Sequence, residues 1–342
     1  MVYQFEYVVL RRETMFGKLN PSDYIAVRLS YSLKEFCFDF KEFCDLLTSK
    51  GFDAFTPRRR TMGEIFETVT GRLGRTYQQG ELRYKVVVAE ATETKSDIIE
   101  RVILAAAIDR KKRTVTDGDK VARLLFNKAT EDFQCITAGS YLPWDLSGMR
   151  DDLKPCPAFL LTLLSNIPTA MAEEKQLASS SQVRSTFQRI ISSVGIPVED
   201  IKAAWTIPKD SEHIATGIKE MAGVINKSLA EKLVRIDLLP IVDDEEIKSE
   251  LVEDAIVFAT QEFERLLLKE QEKIEVADDP EEAQKKATAR FSKEAGKIMA
   301  LIRQHRGTLG DAIQKIEKAQ QRFEENLKVF EVEPELKLAL VS

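Results

Sequence analysis

Histidine, cysteine and tryptophan are scarce in this chain, at 2, 4 and 2 of 342 residues. With two histidines, His213 and His305, neither a zinc site nor a nucleophile activated by imidazole finds its partners at a recognisable spacing. The cysteines Cys37, Cys44, Cys135 and Cys156 form no CxxC pair, which excludes a disulfide-stapled module and makes a reducing cytoplasm the expected setting. Glycine (15) and proline (11) are too few for a collagen-like or low-complexity chain. The longest apolar runs, at residues 102–108 and 158–164, fall far short of the roughly 18 residues that cross a bilayer, so no membrane association is expected. The opening stretch offers only Val8, Val9 and Leu10 before Arg11 and Arg12, without the basic start and longer apolar core of a secretory leader. The formal charge of -6, from 50 Lys+Arg and 56 Asp+Glu, gives no whole-chain attraction to nucleic acid or anionic lipid.

What is present is a helix-rich composition, 44% hydrophobic and 31% charged. The length favours two or three domains. The acidic excess is local: residues 243–335 hold 15 basic and 24 acidic residues, against 34 and 32 in residues 1–242. The patterning predicts an α+β protein with N-terminal helices and an antiparallel β-meander (1–140), a small α/β unit (158–243) and a C-terminal helical bundle or antiparallel coiled coil (244–332).

In the N-terminal part, residues 1–10 read as a strand. Residues 33–49 carry Leu33, Phe36, Cys37, Phe40, Phe43, Cys44 and Leu47 on one helical stripe, closed by Gly51, so both cysteines are expected on that apolar face. Thr61 and Glu64 stand at the spacing of a capping box for a helix over 61–73. Strands are expected at 82–91, at 98–108, whose alanines also admit a helix, at the hairpin flanks 113–115 and 121–126, and at 133–137. Asp117-Gly118 is read as a hairpin tip whose glycine supplies positive φ, and the breakers of 138–157 as a domain junction. After a short helix near 158–164, residues 178–181 form a linker or the cap of a helix over 182–194. A strand (201–207), a helix (211–229), a strand (233–241) and a long helix (244–274) follow, the middle helix making a crossover if the strands are parallel. In the last helix Leu309, Ile313, Ile316, Gln320, Phe323, Leu327 and Phe330 recur at alternating steps of 4 and 3, a heptad seam that needs a partner surface in this chain or in a second copy. A helix over 281–305 is expected to leave through Gly307, with Asp278, Asp279 and Pro280 marking the turn before it.

Chemistry is harder to read. Gly71 to Thr76 lacks the spacing and the following helix of a phosphate loop. The dense basic clusters are Arg58, Arg59 and Arg60, and Arg110, Lys111, Lys112 and Arg113; each can neutralise phosphates, and Phe52, Phe55, Tyr77 and Tyr84 lie nearby in sequence for base stacking. The competing reading is a solvated face or a charged strand edge. Acidic clusters at Asp151-Asp152, 243–246 and Asp278-Asp279 adjoin helix starts or turns, as dipole stabilisation requires, so no metal and no cofactor is expected.

The helix containing Val183-Arg184, the strand ending Trp205-Thr206-Ile207-Pro208, the helix after it, the strand running into Pro240-Ile241-Val242-Asp243 and the long acidic helix together resemble an uncharacterised family carried by bacteria, phages and plasmids. In that family a glycine precedes the aromatic residue of the first strand; here Ala203-Ala204 stands there. The resemblance transfers no active residue. The expectation is a non-enzymatic assembly or nucleic-acid-associated accessory protein, with a phage or other mobile element as the expected origin. It would associate with an unknown protein, with itself through the C-terminal helices, or with nucleic acid at the N-terminal clusters. The alternatives are a metal-dependent enzyme acting on nucleic acid or nucleotides, and a protein-binding adaptor.

Overall fold

The computed structural model describes residues 24–79, 82–90, 97–108, 118–138, 152–199, 201 and 203–330. Along the chain the strands are β1 (Tyr24–Leu33), β2 (Cys37–Asp39), β3 (Thr76–Gln79), β4 (Leu82–Glu90), β5 (Ile98–Ile108), β6 (Asp119–Asn127), β7 (Phe133–Thr137), β8 (Leu177–Ser179), β9 (Ile196–Pro197), β10 (Ala204–Pro208) and β11 (Val234–Val242). The helices are α1 (Phe40–Ser49), α2 (Met62–Gly71), α3 (Ala158–Ser165), α4 (Ile167–Glu174), α5 (Ser180–Ser192), α6 (Glu212–Ser228), α7 (Glu245–Glu275), α8 (Pro280–Gln304), α9 (Arg306–Leu309) and α10 (Ala312–Lys328). The protein is α+β. Its chain divides into two compact units: unit one takes residues 1–38, 42–56 and 179–342, and unit two takes residues 39–41 and 57–178. The expected strand at 1–10 and the expected strand residues 113–115 lie outside the described residues, as does most of the breaker-rich stretch 138–157.

Unit one contains a four-stranded sheet in the order β11-β1-β10-β9. Every neighbouring pair is antiparallel, so β10 and β11 run parallel with β1 between them, and α6 connects them past that intervening strand. Period-two alternation sends Val27 and Leu29 of β1 to the face that also carries Trp205, Ile207, Ile236 and Leu238, all buried. Tyr31 stacks on Trp205 there, with centroids 5.5 Å apart. On the opposite face Ala26 and Ile241 pack against Leu251 of α7.

The remaining helices α7, α8 and α10 form a bundle with α9 in the turn. Its core holds Phe263, Phe291, Met299, Ile302, Leu309, Ile313, Ile316 and Leu327. Helix starts follow their capping chemistry: the Asp244 carboxylate accepts from the Glu246 and Ile247 N–H groups, and Asp279 accepts from Glu282 with Pro280 at the first helical position. The reversal expected at Gly307 is made by Gly310, whose φ of 49° is left-handed backbone, because Gly307 lies inside the short α9.

The described strands of unit two form a five-stranded antiparallel meander, β3 to β7 in sequence order, of which β3 was not among the expected strands. One face, with Val86, Ile103, Leu124 and Phe126, packs on α2, α3 and α4; Phe66 of α2 stacks on Phe126 at 5.2 Å. Thr61 and Glu64 form the expected capping box. Ser179 and Gln182 form another at the start of α5, so residues 178–181 are a cap rather than a linker.

Three further expectations are corrected. The helix placed over 33–49 begins at Phe40: Leu33 pairs with Val234, and the Lys34 N–H donates to the Leu233 carbonyl at 2.9 Å, which holds this stretch extended. Cys37 therefore sits in β2 and only Cys44 on the helix, both half-buried. Gly118 is not in left-handed backbone; a Cβ there would come within 3.1 Å of the Ala105 backbone, so the glycine relieves a close approach between neighbouring strands. Asp117 lies outside the described residues.

Ala203 has φ of 59°, a region that costs an L-residue roughly 1–2 kcal/mol and glycine nothing. Ala203→Gly is therefore expected to raise stability by about 1 kcal/mol, read as a rise in denaturant midpoint; a lowered midpoint would show that the strain is relieved elsewhere.

Candidate functional site

The three arginines of the first basic cluster have different fates. Arg58 is exposed and makes a bidentate pair with Glu64, at 3.0 and 2.5 Å, the same carboxylate that accepts from the Thr61 N–H. Arg59 lies over the Phe40 ring, 5.0 Å from its centroid. Arg60 is only 12% exposed: its Nη2 donates to Glu174 Oε1 at 2.8 Å and to the carbonyls of Glu174 and Leu177, both at 3.0 Å. Arg72 donates to both oxygens of the same Glu174, at 2.6 and 3.1 Å. Burial raises the Glu174 carboxyl, but the bonds from Arg72 and Arg60 outweigh it and hold the group below the ordinary carboxylate value. Much of this cluster's charge is thus engaged inside unit two. Arg110, Lys111, Lys112 and Arg113 lie outside the described residues.

The meander's outer face is where cations collect. Cross-strand register puts Arg83 opposite Ile108, Lys85 opposite Ala106, and Val87 opposite Leu104, so Arg83, Lys85 and Val87 project from one side of β4. Arg83 and Lys85 are exposed, and neither forms an ion pair with another described residue. Val87 is 39% exposed beside them. Lys120 and Arg123 of β6 share this face, but Asp152 accepts from both, at 2.9 and 3.0 Å, and Glu100 accepts from Arg123 at 2.7 Å. The bonds from Lys120 and Arg123 hold the Asp152 carboxyl below its ordinary range. Sequence reading missed Arg83 and Lys85 because it sought runs of adjacent cations, whereas a strand presents alternate residues. Tyr77 and Tyr84 project to the helix-covered side, against Phe159, and Phe52 is buried in unit one.

The other candidates resolve into structural roles. Leu309, Ile313, Ile316 and Leu327 of the seam are buried against the chain's own helices, with Phe323 and Phe330 packed half-buried beside them and Gln320 half-buried. Asp152, Asp244 and Asp279 spend their carboxylates on ion pairs or helix caps; Asp151 lies outside the described residues. Among the described residues no three His, Cys, Asp or Glu side chains are grouped as a metal ion requires. His213 is exposed on α6, at an open cleft of about 570 Å³ lined by Lys50, Lys209, Glu212 and Glu220.

His305 is 1% exposed, with Nε2 2.9 Å from the Val194 carbonyl. Burial pushes its pKa from the ordinary 6.5 down to about 4, against a weaker raising effect of that hydrogen bond. A ring whose folded pKa is depressed contributes its stability above the unfolded value and loses it as pH falls through the window from 6.5 to about 4. The expected loss is about 3 kcal/mol, on the order of 1.36 kcal/mol per pKa unit. His305→Gln, which keeps a neutral donor for Val194, should flatten that part of the stability–pH curve; a curve parallel to wild type would show that the ring ionises freely.

A family model described as a family of unknown function, DUF6744, matches residues 28–339. No curated protein and no solved structure matches the chain.

Proposed function

We propose, for a chain that belongs to the DUF6744 family of unknown function, that unit two holds a nucleic-acid backbone against the outer face of its meander, as an accessory protein without chemistry of its own. The observation that carries this reading is the pair Arg83 and Lys85, exposed, on one sheet face and without a described carboxylate partner. They stand about 7 Å apart along the strand. Ile108, the register partner of Arg83, is followed in the sequence by Arg110, Lys111, Lys112 and Arg113. Phosphate contacts of this kind supply affinity without base readout.

The test is fluorescence anisotropy of the full chain with labelled single-stranded and duplex DNA and RNA, titrated with salt. Wild type is expected to bind with a falling log affinity against log salt. The double substitution Arg83→Glu with Lys85→Glu should weaken binding at least about tenfold and flatten the slope by about 2, one per lost phosphate contact. Wild-type affinity in that variant would remove this face, and failure to bind any of the probes at low salt would return the protein-adaptor reading.

A further inference from the structure

We propose that the sheet of unit one holds an oxyanion group, a carboxylate or a phosphoryl, between Arg28 and Thr206. The two residues are direct register partners on β1 and β10, so their side chains leave the same face of the sheet. Thr206 is 4% exposed, and its Oγ1 is buried without a hydrogen-bond partner. Arg28 Nε is buried and without a partner as well, and no described carboxylate pairs with the guanidinium. A buried polar atom left without a partner is costly, and more so when it is charged. Two such atoms on adjacent strands, facing one way, mark a place where something is bound.

The chemistry of the missing partner follows from what these atoms offer. A guanidinium has donors only, and the threonine hydroxyl is free to donate, so the absent group must accept from both. A negative oxygen does this and also neutralises the half-buried cation, which a water molecule would leave uncompensated. The neighbouring pairs on the same face are Ala26 with Pro208 and Ser30 with Ala204, so short side chains border the Arg28–Thr206 pair, and the Ser30 hydroxyl adds a further donor type two residues along. On the third strand Leu239 lies opposite Arg28, while Asp237, opposite Ser30, is engaged by Arg235 at 2.9 Å. Leu251 of α7, packed on Ala26 and Ile241, walls the site at one end.

The experiment is thermal unfolding of the full chain at fixed ionic strength in chloride, with inorganic phosphate or acetate titrated in. Wild type is expected to show a saturable rise in melting temperature of about 3 °C or more. Phosphate acting alone assigns a phosphoryl group, acetate acting alone a carboxylate, and both a shared oxyanion site. Arg28→Met should abolish the rise. The nearly isosteric Thr206→Val keeps the claim testable if that variant does not fold: it should melt no lower than wild type in chloride yet lose at least about tenfold in apparent affinity, because it removes an unmade hydroxyl together with a ligand contact. No saturable rise with either anion, or an undiminished rise in Thr206→Val, overturns the proposal. The readout uses neither nucleic acid nor unit-two variants, so its failure is separate from that of the backbone-binding face.

Discussion

Glu174→Ala is expected to destabilise unit two by about 3–5 kcal/mol, the range for removing one member of a buried ion pair. The carboxylate is 3% exposed and serves two arginines at once. Its loss leaves Arg60, 12% exposed, with a buried positive charge and only the two carbonyl acceptors. Arg58→Ala, by contrast, removes an exposed pair and should cost about 1 kcal/mol or less. The pH dependence has a defined sign. Because Arg72 and Arg60 hold the Glu174 carboxyl below its unfolded value despite burial, its contribution is complete above the ordinary carboxylate range and lost as pH falls through the folded value. Hydrogen exchange of β6 and α4 amides, compared between wild type and Glu174→Ala, measures the effect within unit two. Unchanged protection would mean that the network contributes nothing net.

Leu327→Asp should abolish cooperative unfolding of the C-terminal bundle. Leu327 is fully buried at the end of α10, in the core that includes Phe263 and Phe291. An isolated carboxylate there must either ionise without partners or take up a proton, and either course costs several kcal/mol. Leu327→Ala, which leaves a cavity and no charge, should fall between, at about 2–5 kcal/mol. The Gln284 side-chain amide of α8 fixes this end of the helix, donating to the carbonyls of Leu327, Lys328 and Phe330 at 3.0–3.1 Å, so the chain cannot easily swing the substituted residue into water. Circular dichroism during chemical denaturation checks the series. An Asp variant with a wild-type midpoint would show that the seam tolerates solvent.

The candidate sites were legible in unequal measure. Dense charge is visible in any sequence, so Arg58, Arg59 and Arg60 stood out. Their engagement by Glu64, Phe40 and Glu174 was not visible, because Glu174 and Arg60 are 114 residues apart. Arg83 and Lys85 are separated by one residue and look unremarkable until the strand direction puts them on one face. Arg28 and Thr206 could not be linked at all from the sequence, since they stand 178 positions apart and their relation is one of strand register.

By itself the sequence determined the local elements that carry their own signals: the capped helix at Thr61, the strands of the meander and the amphipathic helices of the bundle. These rest on interactions within a few residues, namely side-chain caps, period-two alternation and 3.6-residue stripes. The tertiary structure alone decided that β1 enters between β10 and β11, turning an expected α/β crossover into one that passes an intervening antiparallel strand. It also decided that the stripe over 33–49 begins as strand, because backbone partners near residue 234 outweighed a helical spacing of side chains. Backbone hydrogen bonds between distant strands leave no periodicity in either segment; they depend on which edges meet, and that is settled by the burial of the whole sheet face.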